Sequence, residues 1–225
     1  TTPEQIQEFG AAVEVHNSLG VRSSMISADQ AHRLSPLANV DDVIGACWSP
    51  DDGVCTPEAV VQAYASGARR EGATLLTNTE FVGAEVRDGQ IHSVDVQSSN
   101  GVARVRTTNV VIAAGAWSMS VGAALGIDLP VVPVRREIIV TGAIPGVDPT
   151  VVSRSPMTID AASTFYFHGE GRGVLAGFSD PSVDPGFDLT RDPSYLEKLI
   201  EHCENCTVTA NDIIAVMKRI SASRV

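Results

Sequence analysis

The stretch VVIAAGAWS (residues 110–118) runs from an apolar segment into a glycine and then toward a helix start. A junction of this kind can hold a nucleotide, because glycine lets a ligand reach the backbone and a helix start presents N–H groups without intrahelical partners. It equally serves as a packing turn, and these residues alone leave both readings open. HCENC (202–206) contains a C-x-x-C, the spacing of a zinc half-site or a redox pair. The second pair that zinc needs is missing, since the remaining cysteines are Cys47 and Cys55, and no thioredoxin-like βαβ context surrounds it. Cys203 continues the apolar face of Leu196, Leu199 and Ile200 on a predicted helix, so it reads as a core cysteine with a neighbour. His16, His32, His92, His168 and His202 show no metal-ligand spacing, and no metal site is expected. GEGRG (169–173) lies between two strand-like runs and reads as a hairpin turn, not a phosphate loop. G-x-G-x-x-G after a strand, the P-loop, G-x-S-x-G and H-E-x-x-H are all absent from the sequence.

Composition narrows the function classes. With 44% hydrophobic and 19% charged residues in a chain of 225, a soluble globular protein with a real core is expected. A net charge of −11, with Lys and Arg scattered singly or in pairs, argues against a nucleic-acid surface. No apolar run approaches the roughly 20 residues of a membrane span. The opening TTPEQIQEF has neither the basic nor the apolar region of a signal peptide, which gives a cytoplasmic expectation.

The elements that position these residues follow from caps and periods. Thr2-Pro3-Glu4-Gln5 opens a helix with Ile6, Phe9 and Val13 on one face, Ser27 to Leu34 a short second one, and Thr56-Pro57-Glu58 a third that ends near Gly72. Beyond it the period changes to two. Residues 73–78, 80–86, 90–97 and 102–108 read as strands, with Asp88-Gly89 and Asn100-Gly101 as hairpin signals. NVVIAAG (109–115) does not alternate, and a continuous apolar run suits a central strand of a parallel sheet covered on both faces. LPVVPVRREIIVTG (129–142), TFYFHG (164–169) and GVLAGFS (173–179) read as antiparallel strands, and a last helix starts near Asp192-Pro193. The expected fold is a mixed α/β chain: an α/β portion with a β-meander over 1–128, then a mainly antiparallel portion with a C-terminal helix over 129–225.

The order and spacing of DGVCTP, EGATLLTNTEFVGAEV, AAGAWS, LGIDLPVVPVR and FYFHGEGRGVLAGFS resemble the FAD-dependent D-amino-acid oxidase superfamily. The similarity is to its glycine oxidase, sarcosine oxidase and proline or opine dehydrogenase β-subunit members, over most of residues 20–180. It implies that the first portion is an incomplete FAD-binding, Rossmann-like unit and the second a substrate domain. Val82 would then hold the adenosine half of FAD through its backbone. Ala113, Ala114, Gly115 and Trp117 match the segment passing close to the dinucleotide, and Tyr166 matches a tyrosine that helps bind the substrate carboxylate. The implied reaction is oxidation of a C–N bond of a small amine or amino acid by hydride transfer to flavin.

The resemblance departs at the ends. The first strand with its Gly-rich loop is not seen, and AVMKRISASRV does not resemble the family's closing segment. The expectation is therefore an internal fragment that binds FAD weakly or not at all alone and has a partner subunit or self-associates. A non-catalytic module of the same fold is the alternative.

Overall fold

The computed structural model describes residues 2–207; AVMKRISASRV lies outside them. Two compact units are formed. One takes Thr1–Asp52, Arg135–Val183 and Asp188–Val225, the other Gly53–Val134 and Asp184–Phe187.

The first unit begins with α1 (Pro3–Ser18), which the Thr2 hydroxyl caps by accepting from the Gln5 N–H while the Gln5 side chain accepts from the Thr2 N–H. The same reciprocal cap, Ser27 with Gln30, opens α2 (Ala28–Leu34). Short strands β1 (Ser24–Ile26) and β2 (Ala46–Trp48) pair antiparallel beside them.

The unit's main sheet, which positions Tyr166, has four antiparallel strands in the order β6-β9-β8-β7. These are β6 (Ile138–Val140), β7 (Thr158–Ile159), β8 (Tyr166–Glu170) and β9 (Gly173–Gly177). Alternation divides the sheet into two faces. Phe167, Val174 and Ala176 point inward, and with Phe165 and Phe178 they pack against Val152 of α5 (Pro149–Arg154) and Tyr195, Leu199 and Cys203 of α6 (Tyr195–Cys206). The sequence reading divides the chain into 1–128 and 129–225, whereas the coordinates group the first 52 residues with this sheet. The contacts give the reason. Leu37 and Ala38 join the core, Ser35 Oγ lies 2.8 Å from Thr158 Oγ1, and the Asn39 N–H donates to the Cys206 carbonyl.

The second unit holds α3 (Pro57–Arg70) and the meander β3 (Glu80–Arg87), β4 (Gln90–Ser98) and β5 (Gly101–Arg106). The Asp88-Gly89 hairpin forms as expected: both residues have positive φ, and Arg87 pairs with Gln90. One meander face is polar, where Arg104 makes a two-pronged ion pair with Asp95 at 2.8 and 2.9 Å.

Several expected strands do not form. Residues 73–78 are irregular, and of 129–142 only 138–140 joins a ladder. The largest correction concerns 109–115. It forms no ladder with any strand among the described residues, and Val111 is 91% exposed, so it is not a strand covered on both faces. A central parallel strand needs neighbours on both edges, and β3, β4 and β5 pair only with one another here. After it come one 3-10 turn, Gly115–Trp117, and α4 (Ser118–Ala124).

Candidate functional site

The solvent face of the four-stranded sheet carries a built arrangement around Tyr166. Register places Ile138, Gly177, Tyr166 and Ile159 in one row across the strands, and Val140, Leu175 and His168 in the next. Paired residues share a face, so Tyr166 stands opposite the buried Phe167 and half-buried among apolar neighbours. The approach to β6 alternates in the same way. Arg136, Ile138 and Val140 are exposed while Arg135, Glu137 and Ile139 are half-buried, which brings Arg136 to the Tyr166 side. Burial pushes the Tyr166 phenol up, and the nearby Arg136 charge draws it the other way.

Arg136 is fixed from below. One of its guanidinium nitrogens donates to the Asp180 carbonyl at 3.4 Å, leaving further donors free for a ligand. Its neighbour Glu137 is tied to α6: the Tyr195 hydroxyl donates to the Glu137 carbonyl, and the Asp192 N–H donates to Glu137 Oε1 at 2.9 Å. The Tyr195 oxygen also accepts from the Phe178 N–H at 3.3 Å, and burial pushes this phenol up to about 12. A cavity of about 10 Å³ among Arg135, Arg136, Glu137 and Tyr195 has no room for a substrate.

Lys198 completes the support by donating to Asp180 Oδ2 at 2.7 Å and Asp192 Oδ2 at 3.4 Å. The Lys198 hydrogen bond, with further donors on Ser182, holds the Asp180 carboxyl down at about 2 against an ordinary 3.8. A lowered carboxylate stabilises the fold fully above the unfolded value and loses that contribution as pH falls through the folded one. The window is therefore about pH 4 down to about 2. Asp180→Asn is expected to cost roughly 1–2 kcal/mol near neutrality, modest because Lys198 is partly solvated. Urea titrations should show this gap closing as the pH is lowered through that window; a gap independent of pH would remove the ion pair from the account.

The expected cofactor residues lie in the other unit. Val82 sits on β3, an edge strand, at a register break between Phe81 and Gly83, so it has no direct partner on β4. Such a bulge frees backbone groups for a ligand. Gly115 has φ +53°, and a Cβ built there would meet nothing within 4 Å. Glycine is favoured here by conformation, and the space beside it is open. Ala113 and Ala114 precede it, and Trp117 stacks on Phe187 with ring centroids 5.5 Å apart. Because α4 packs against β3, the structure brings this junction and the strand of Val82 together. Open, small-residue backbone fits the secondary contacts of a dinucleotide. The glycine-rich turn that would take its pyrophosphate is not in the sequence.

The other candidates resolve as structure. Cys203 is fully buried, with Sγ 3.4 Å from Thr207 Oγ1, and burial pushes the Cys206 thiol up to about 11. Both are free thiols held in the protonated, unreactive form. Among the described residues no three His, Cys, Asp or Glu side chains group as a metal site. Arg136 and Gly177 were missed from the sequence: an Arg-Arg-Glu run reads as ordinary surface charge unless the alternation of 131–140 is followed through it.

The chain is similar to several known proteins. Rat dimethylglycine dehydrogenase is 30% identical over 233 residues, covering 97% of this chain and 26% of that protein. Human sarcosine dehydrogenase is 27% identical over 177 residues, 77% of this chain and 18% of the relative. Among solved structures, L-proline dehydrogenase from P. horikoshii superposes with a TM-score of 0.76 at 27% identity, over 92% of this chain and 55% of that one. The chain thus spans about a quarter or less of the first two relatives and about half of the third. The family model described as FAD dependent oxidoreductase (DAO) matches residues 1–223, and the chain belongs to that family.

Proposed function

We propose that this chain supplies the substrate-binding sheet and part of the FAD site of an enzyme that oxidises the C–N bond of a small, carboxylate-bearing amine. The observation that carries the reading is a half-buried phenol, Tyr166, set in a row with Ile138, Gly177 and Ile159 on the outer sheet face, with the Arg136 charge near enough to act on it. FAD, when bound, supplies the chemistry by accepting a hydride equivalent from the carbon beside the nitrogen. The chain's own residues bind and orient. The Tyr166 hydroxyl donates to one carboxylate oxygen, Arg136 sets its charge against the other, and Ile138, Val140 and Leu175 keep water from the amine end. The likeness to dimethylglycine, sarcosine and L-proline dehydrogenases favours an N-substituted amino acid as substrate.

In the complete flavoprotein, Tyr166→Phe is expected to raise the amine KM about tenfold, the loss of one hydrogen bond to a charged group. A smaller change in kcat should accompany it. Steady-state kinetics check this, and values equal to wild type for both constants would remove Tyr166 from the site.

Alone, this chain should bind FAD weakly. The pyrophosphate is held chiefly where a glycine-rich turn meets a helix N-terminus, and a net charge of −11 adds general repulsion. Micromolar affinity in a fluorescence titration of the 225-residue chain would contradict this. Exposed Val54, Tyr64 and Val111 favour coverage of the second unit by further polypeptide or a second copy. The mitochondrial names of two relatives weigh against the cytoplasmic expectation.

A further inference from the structure

Three glycines of the four-stranded sheet leave no room for a Cβ, but for different reasons. At Gly169 the obstacle is the backbone of Val152 and Ser153, and at Gly173 it is the Thr141 and Gly142 carbonyls with the Thr141 hydroxyl. Those positions are closed by packing within the unit. At Gly177 the nearest atoms belong to the candidate site itself: a Cβ would lie 2.6 Å from Tyr166 Oη and 2.8 Å from Tyr166 Cζ. The Glu137 carbonyl follows at 3.2 Å. Register explains the encounter, since Gly177 pairs directly with Tyr166 on one side and with Ile138 on the other. With no side chain between them, the phenol reclines across β9 toward the strand that follows Arg136. Any larger residue at 177 would lift the ring off the sheet, because contacts under 3.0 Å are not tolerated by real Cβ atoms.

We propose that Gly177 is a positioning residue, whose missing side chain sets the tilt of Tyr166 and so the place of its hydroxyl relative to Arg136. The proposal rests on the reading of Tyr166 as a carboxylate-binding group. Gly177 itself touches no substrate and acts through the phenol. A tyrosine standing upright from the sheet would present its oxygen farther out from β9, by roughly the length of the ring. Glycine at 177 therefore selects a substrate whose anionic group lies close to the sheet.

Four forms of the complete flavoprotein test this: wild type, Gly177→Ala, Tyr166→Phe and the double variant. Gly177→Ala is expected to raise the amine KM about tenfold, like Tyr166→Phe, with flavin content and visible spectrum unchanged. In the Tyr166→Phe background the same alanine should add less than about twofold, because the hydroxyl it displaces is already gone. An unchanged KM in Gly177→Ala, or an equal rise in both backgrounds, overturns the proposal while leaving the role of Tyr166 intact. An unchanged KM in Tyr166→Phe overturns the functional reading and the proposal together. Should Gly177→Ala fail to fold, the variant Gly177→Ala with Tyr166→Ser decides: removing the ring vacates the obstructed space, so recovery of holoenzyme supports the proposal and continued misfolding overturns it.

Discussion

Phe167→Ala is expected to lower stability by about 4 kcal/mol, within the range for emptying a buried aromatic site. Phe167 is 2% exposed on β8, in the middle of the inner sheet face, with its ring centroid 6.1 Å from that of Phe165. Its surroundings are rigid: β9 on one side, β7 on the other, and a core closed by Val152, Leu199 and Cys203, each nearly or fully buried. Little collapse is available to fill the cavity, which places the cost toward the upper half of that range. A loss of this size is a large part of the whole stability of a typical domain. Urea unfolding of the flavoprotein would measure it, and a cost under about 1.5 kcal/mol would mean that the sheet is not seated on this core. Activity should fall as well, because the strand that carries Phe167 inward carries Tyr166 outward.

The second large effect concerns charge. Arg136→Met is expected to lower kcat/KM for a carboxylate-bearing amine about thirtyfold, mostly through KM, as removing one partner of a charged pair at a binding site costs about 2 kcal/mol or more. The fold should tolerate the change, since Arg136 is exposed and its structural bond is a 3.4 Å contact with the Asp180 carbonyl. An amine substrate lacking the carboxylate should be oxidised equally by wild type and variant. Arg136→Lys should recover part of the loss, retaining charge but not the planar fork. A uniform fall for both amines would show that Arg136 supports the sheet and does not select the substrate.

The helices were legible because their information is local. Thr2 with Gln5 forms the reciprocal cap that the spacing announces, Ser27 with Gln30 forms the same device at the second helix, and Asp88-Gly89 turns where its residues must. The segment 109–115 was not legible as it stands, because whether an apolar run is a central strand depends on partners that no local pattern contains. The joining of residues 1–52 to the four-stranded sheet is likewise non-local, resting on Leu37, Ala38 and a hydroxyl pair 123 residues apart. At the site, Tyr166 was found through the resemblance of TFYFHGEGRGVLAG and not through any chemistry its own neighbours display. Gly177 emerged from cross-strand register, which sets it opposite Tyr166, and Arg136 from the alternation of exposed and half-buried residues leading into β6.

Tyr166 and Arg136 are proposed to present a carboxylate-bearing amine to a flavin. Anaerobic titration of the complete flavoprotein with sarcosine, dimethylglycine and L-proline, followed at the flavin band near about 450 nm, tests it most directly. Bleaching of that band by at least one of these amines is predicted, with half-saturation shifted about tenfold higher in Tyr166→Phe and about thirtyfold higher in Arg136→Met. A yellow protein whose band no such amine bleaches, or one bleached at the same concentration in all three forms, would contradict it.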